Sequence, residues 1–237
     1  MNTLSFNQLA GWSAIISALL FLLSILGMIQ YLEGNLEKVP HFMQNMNDHK
    51  GMMLLYGWPG LVATVLMIPL FYAVKLRNLT RLNISKSIFY LSLIGIAFVL
   101  IGYLFNLAFT YFHAPIYQSL DATQQLAFEA LILTNVGIQD MFWLSGDLFA
   151  FLGIALLAAM NWKENSTPKW LIIWVQIAAA SAAIGSFSFI PAYKYNAILG
   201  SMFLIGFSLY AIWQISMGIY LIRSKKDGLS TQKTFNS

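Results

Sequence analysis

The sequence predicts an all-α polytopic membrane protein, a bundle of six transmembrane helices with both termini in the cytoplasm. Of its 237 residues, 59% are hydrophobic and only 9% are charged, whereas soluble domains have about 25% charged residues. Six apolar stretches are long enough for a helix to cross a hydrocarbon core of about 30 Å, which takes about 20 residues. Because the apolar character extends over the whole chain, we expect a membrane domain rather than a soluble domain with an anchor.

The predicted spans form a single domain over residues 1–222. Their approximate bounds are 9–31, 52–74, 88–112, 133–160, 170–190 and 197–222. The apolar runs are continuous rather than alternating, which excludes membrane strands. No basic segment precedes the first run and no small-residue cleavage pattern follows it, so we expect a retained span rather than a signal peptide. Residues 223–237 are predicted to be a polar cytoplasmic tail that is disordered from Lys225 onward.

The distribution of basic residues predicts the orientation. Cytoplasmic loops of membrane proteins carry an excess of Lys and Arg. The side that holds both termini would carry 10 of the 13 basic residues, and the other side only Lys38, Lys50 and Lys194. We therefore expect a multi-pass protein of the inner or plasma membrane with its N- and C-termini in the cytoplasm.

Composition also excludes several kinds of function. The chain has no cysteine, which removes disulfides, thiolate metal sites and a cysteine nucleophile. The net charge of +4 lies in short loops and the tail rather than on a folded basic face, so the predicted partner is the lipid bilayer and not nucleic acid.

Two segments outside the spans carry helix signals. Pro40 followed by Phe42, Met43 and Met46 predicts a short amphipathic helix on the outer surface. Asp121 and Gln124 have the spacing of a capping box. The fourth helix is therefore expected to begin near residue 122, outside the membrane, or else to be divided from an interfacial helix at Gly137.

The fourth span is the only one whose interior holds formal charge, at Asp140 and Asp147. A carboxylate in hydrocarbon costs at least about 2.5 to 3.5 kcal/mol, so it normally faces protein or a wet cavity. Seven residues are nearly two helical turns, which puts both acids on one stripe with Val136, Trp143 and Ala150. We expect this stripe to face the other helices.

Further polar residues are predicted at a similar depth in the outer half of the bundle. They are Gln139 in the fourth span and Tyr103, Asn106 and His113 along the third. We expect these residues, with Asp140, to line an outward-facing polar cleft whose floor is Asp147. Two interpretations of Asp147 stay open: it binds a proton, a cation or a cationic ligand, or it is a protonated packing residue.

No cofactor is predicted. The three histidines, His41, His49 and His113, all fall on the outer side and could form a metal site with Asp140. Their spacing matches no compact ligand motif, which favours ordinary loop histidines. None lies at the depth that an intramembrane haem requires.

Small residues in the fifth span predict a close helix–helix contact. Ala179, Ala183 and Gly185 lie in an alanine-rich segment that allows another helix to approach its backbone. The same face is a candidate docking surface for a partner protein.

The layout from Leu9 to Ile222, together with the segment GDLFAFLGIALLAAM from Gly146 to Met160, resembles small uncharacterised bacterial inner-membrane proteins with six spans. The resemblance covers nearly the whole chain and is one of layout. It implies a six-span fold and carries no catalytic residues over to this chain.

Three functional hypotheses follow. The first is a protein that binds or moves a small solute or ion through a cleft around the fourth helix. The second is a non-catalytic scaffold or accessory subunit. The third, a membrane enzyme using Asp147, Asp140 and His113, has no motif in its support, so the sequence favours a protein that is not an enzyme.

Overall fold

The computed structural model describes residues 5–33, 39–78, 82–162, 166–190 and 196–224. These residues form helices and short turns without any strand, and six of the helices are long and apolar enough to cross a membrane. The all-α fold with six spans is therefore confirmed. The helices are α1 (Phe6–Glu33), α2 (Val39–Asp48), α3 (Lys50–Leu76), α4 (Leu82–Ala108), α5 (Ala114–Ser119), α6 (Ala122–Met160), α7 (Lys169–Gly185) and α8 (Ala197–Arg223). The predicted disordered tail from residue 225 onward lies outside the described residues.

The six long helices form a closed ring. Each packs against the next one along the chain, in the order α1, α3, α4, α6, α7 and α8, and α8 packs back against α1. Neighbours run antiparallel, so the start of α1 and the end of α8 lie at one end of the bundle, here called the termini end. The opposite end carries α2, α5 and the first turns of α6, and is called the cap end. A ring of this kind encloses an interior that all six spans line.

Small residues let the helix backbones approach closely around this ring. The hydroxyl groups of Ser17 and Ser24 on α1 donate to the carbonyl oxygens of Ala63 and Tyr56 on α3, at 2.9 and 2.7 Å. Between α4 and α6, a Cβ atom on Gly95 would lie 2.8 Å from the carbonyl oxygen of Gly146. Such contacts replace the hydrophobic driving force that is missing between helices in lipid.

The alanine-rich face of the fifth span is covered by the same chain. Ala179 and Ala183 are buried, and a Cβ atom on Gly185 would overlap the backbone of Phe203 on α8. The predicted close contact is therefore present, but its partner helix is α8. Docking of a separate protein through Ala179, Ala183 and Gly185 stays a prediction; in the described bundle the two alanines are buried and Gly185 is covered by α8.

The cap end follows the local signals in the sequence. On α2, the residues Val39, Phe42, Met43 and Met46 are buried, as an amphipathic helix requires. The Asp121 side chain accepts from the backbone N–H groups of Thr123 and Gln124, and the Gln124 side chain accepts from the backbone of Asp121. This capping box starts α6 at Ala122, and the helix continues through Gly137 without a break. The alternative of a division at Gly137 is therefore wrong.

A π-helical turn at Phe109–His113 joins α4 to α5. Pro115 lacks an N–H group and its ring would clash with the carbonyl group four residues earlier in a regular α-helix. A wider turn avoids that clash, and the helical path continues to Ser119, beyond the predicted end of the third span near residue 112. The turn brings His113 into the cap and leaves Asn106 one to two turns deeper.

Candidate functional site

The stripe of α6 that contains both acids faces the interior of the ring. Asp140 and Asp147 are 7% and 2% exposed, and Val136, Trp143 and Ala150 are also buried. This confirms the predicted orientation of the stripe. Within the described residues, the two acids are the only buried side chains that carry formal charge.

Asp147 has one hydrogen-bond partner in the structure, and the bond is long. Its Oδ2 lies 3.4 Å from Oγ of Ser186, and that hydroxyl group lies only 2.8 Å from the carbonyl oxygen of Ala182. A serine has a single hydroxyl proton, and the carbonyl oxygen of Ala182, which is the nearer acceptor, takes it. The carboxyl group of Asp147 is thus left with little compensation for a negative charge.

Ser186 lies at the end of α7, where the helix type changes. The α-helix α7 ends at Gly185, and a 3₁₀ turn follows at Ser186–Phe189. Ser186, which is fully buried, lies at the inner side of the ring, and the 3₁₀ turn continues the chain from it. The turn places Phe189 against Trp143, with their rings stacked at 6.2 Å.

Aromatic rings surround the centre of the ring beside the acid. Tyr103 meets Trp143 edge to face with ring centroids 4.6 Å apart, and Tyr56 packs on both. These rings and others from α1, α8 and the 3₁₀ turn enclose a void of about 10 Å³, which is about the volume that one water molecule needs. The Tyr103 hydroxyl group interacts with Ser24 and lies near Asp147. The interior is therefore closed and nearly filled, with polar atoms at its wall.

Asn106 and Gln139 form the next polar layer toward the cap end. Gln139 is fully buried and its Nε2 donates to the carbonyl oxygen of Gly102 at 3.2 Å. Asn106 is also fully buried, and neither its amide nitrogen nor its amide oxygen has a hydrogen-bond partner. An unsatisfied buried polar group costs about 1 to 3 kcal/mol. A water molecule, which both donates and accepts, would satisfy both amide atoms of Asn106.

His113 belongs to the cap rather than to the interior. It lies seven residues beyond Asn106, and its ring is held between Phe109 and Phe128 at 5.1 and 5.9 Å. Among the described residues, no group of three or more His, Cys, Asp or Glu side chains could hold a metal ion. The structure does not bring His41, His49 and His113 together as a ligand set.

Sequence inspection missed polar residues in the half of the interior nearer the termini end. Gln214 on α8 is fully buried, and its Nε2 donates to Oγ of Ser17 at 3.3 Å. Ser17 in turn donates to Ala63 on α3, so this chain of contacts links three helices. The sequence feature that could have indicated this site is the polar residue Gln214 within the sixth apolar span.

An open cleft of about 490 Å³ lies at the cap end. Its walls are α2, α5 and the first turns of α6, with lining residues Pro40, Gln44, Asp48, Tyr117, Gln118, Ala122, Gln125, Leu126 and Glu129. None of the site residues predicted from the sequence lines this cleft. The interior site and the cleft are thus two separate polar features.

The fold and the interior site define a class: polytopic α-helical membrane proteins in which a closed ring of six spans encloses a buried acid. Comparison with protein families assigns the chain more narrowly. It belongs to the family described as "Domain of unknown function (DUF4386)", which matches residues 9–224. Comparisons with curated proteins and with solved structures found no match.

Proposed function

We propose that this protein binds a small cation, a proton or a monovalent metal ion, at Asp147 and moves it or a coupled solute across the cell membrane. The observation that carries the proposal is a carboxyl group that is 2% exposed and is offered a single long hydrogen bond by the residues that the structure describes. Removing an ionised carboxylate from water is costly unless a positive charge accompanies it. A bound cation supplies that charge.

Polar groups on both sides of Asp147 support movement as well as binding. Asn106, with two unpaired amide atoms, lies on the cap side. Ser17 and Gln214 lie on the termini side. An ionisable residue inside a membrane bundle, such as Asp147, typically marks an ion or proton pathway. Because the interior is nearly filled, the structure corresponds to a closed state. Transport therefore requires the ring to open toward each end in turn.

The remaining hypotheses receive less support from the described residues. A scaffold that docks through the fifth span would need its alanine-rich face, but Ala179 and Ala183 are already buried within the bundle. An enzyme using Asp147, Asp140 and His113 would need the histidine near the acids, but its ring packs against aromatic residues in the cap. Cation binding needs only the buried carboxyl group of Asp147, which lies in the interior of the ring.

The proposal predicts that Asp147→Asn abolishes ion flux. The protein is reconstituted into liposomes that contain a pH-sensitive or sodium-sensitive dye. A membrane potential drives the ion flux, and the dye reports it. The wild type should carry protons or sodium ions, and the Asn variant should lose about tenfold or more of that flux because a neutral amide cannot balance a cation. Asp121→Asn is the matched control, since asparagine also serves as an N-cap and flux should stay at the wild-type level. Wild-type flux in Asp147→Asn contradicts the proposal.

The proposed orientation puts both termini in the cytoplasm and the cap outside. The chain has no cysteine, so single cysteines report position without background. We expect Gln118→Cys, which is exposed at the cap end, to react with a membrane-impermeant maleimide on intact cells. Ser230→Cys in the tail should react only after the membrane is permeabilised. The opposite labelling pattern would show that the bundle is inverted.

A further inference from the structure

We propose that the cleft at the cap end is a binding site for a primary alkylammonium group. This site is separate from Asp147 and does not depend on the proposed transport function. The cleft volume of about 490 Å³ is within the range of about 300 to 1,000 Å³ that is usual for small-molecule sites. Its lining has the features that such a cation requires.

Two carboxylates supply the negative charge. Asp48 is exposed at the C-terminal end of α2, where the helix dipole adds to its negative potential. Glu129 projects from the third turn of α6. Among the described residues, those that line the cleft include no Lys or Arg. The ammonium group of Lys50, two residues after Asp48, lies 5.5 Å from the centre of the Tyr111 ring. Both acids are therefore available to a cation from outside.

A buried tyrosine fixes one of these acids in place. Tyr117 is almost fully buried, and its hydroxyl group donates to Oε1 of Glu129 at 2.8 Å. Gln125, one turn before Glu129, donates to the carbonyl oxygens of Tyr117 and Leu120, which ties α5 to α6. One oxygen of the Glu129 carboxylate is thus positioned by Tyr117, and a carboxylate has a second oxygen that can accept from a ligand. Pre-organisation of this kind lowers the entropy cost of binding.

The rest of the lining fits the remainder of an alkylammonium ligand. An ammonium group carries several N–H donors, and the side-chain oxygens of Gln44 and Gln118 are additional acceptors at the rim. Leu126, Pro40 and Ala122 offer apolar contacts for an attached carbon chain. Two sources present this chemistry, a water-soluble amine and the ethanolamine headgroup of a lipid.

The test is a calorimetric titration of the purified full-length protein, in detergent, with 1,4-diaminobutane. Saturable binding is expected. Glu129→Gln and Asp48→Asn should each weaken it by about tenfold or more, because each removes one charge-assisted hydrogen bond. Tyr117→Phe, which keeps the ring and frees Glu129 to move, should weaken binding by a smaller factor. Tetramethylammonium, which has no N–H donor, should bind more weakly than the diamine.

Two controls separate this site from other effects. Glu164→Gln makes the same chemical change in the sequence between α6 and α7, outside the described residues, and should leave diamine affinity unchanged. Asp147→Asn should also leave it unchanged, so failure of one proposal does not imply failure of the other. Repeating the titration in nanodiscs made from ethanolamine or choline lipids identifies the source. Competition by ethanolamine lipid assigns the cleft to a headgroup, and equal affinity in both assigns it to a soluble amine. Unsaturable binding, or equal affinity in wild type and Glu129→Gln, would overturn the proposal.

Discussion

Trp143→Ala is expected to lower the free energy of unfolding by about 3 to 5 kcal/mol, as large aromatic truncations in packed cores do. Trp143 is 4% exposed and its ring contacts Tyr103, Tyr56 and Phe189. It also fills the space above Gly102, where a Cβ atom would lie 2.8 Å from the indole ring. Losing the ring therefore removes contacts to three neighbours and enlarges the central void.

The measurement is the loss of helical circular dichroism on titration with denaturing detergent. Trp162→Ala is the matched control, because Trp162 is 42% exposed at the end of the same helix and its removal should change the free energy by less than about 1 kcal/mol. Equal losses in the two variants would mean that the aromatic centre contributes no more to stability than the bundle surface.

Gly146→Ala and Gly137→Ala are expected to change stability in opposite directions. Both glycines lie in α6. A Cβ atom on Gly146 would lie 2.8 Å from the backbone nitrogen of Val99 and 3.0 Å from the carbonyl oxygen of Gly95, so α4 and α6 must move apart. Gly137 has open space around it. We expect Gly146→Ala to cost about 1 to 3 kcal/mol, and Gly137→Ala to stabilise the helix by up to about 1 kcal/mol.

The same detergent titration tests this pair. Asp147 is the residue that follows Gly146, so separation of α4 from α6 would also move the acid away from Tyr103. We therefore expect Gly146→Ala to reduce ion flux as well, whereas Gly137→Ala should keep it. Stabilisation by both substitutions would contradict the close approach of the two helices.

Local signals explain why much of the fold was predictable. A spanning helix satisfies its backbone groups within its own segment, so length and hydropathy are sufficient to identify it. The capping box at Asp121 and the apolar face of α2 are likewise short-range patterns. The inward orientation of Asp140 and Asp147 was predictable from two local facts. Helical periodicity puts both acids on one stripe, and an acid avoids hydrocarbon.

The candidate site was less predictable, because its components come from helices far apart in sequence. The contact of Gln214 with Ser17 joins the last span to the first, and no local pattern indicates which helix closes the ring. The same limit explains the fifth-span face: alanine spacing predicts a close helix but does not say that α8 is that helix. The cleft at the cap end depends on how α2 rests against α5 and α6, which is again a long-range contact.

The amino-acid sequence by itself determined that this chain is a six-span α-helical membrane protein with a buried acidic stripe, because each of those properties arises within one helix. Tertiary structure alone decided the order of the helices around the ring, the pairing of Ser186 with Asp147, and the position of the polar cleft at the cap. Those features depend on contacts between elements that are far apart in sequence, and the pattern within one helix does not say which neighbour will fit it.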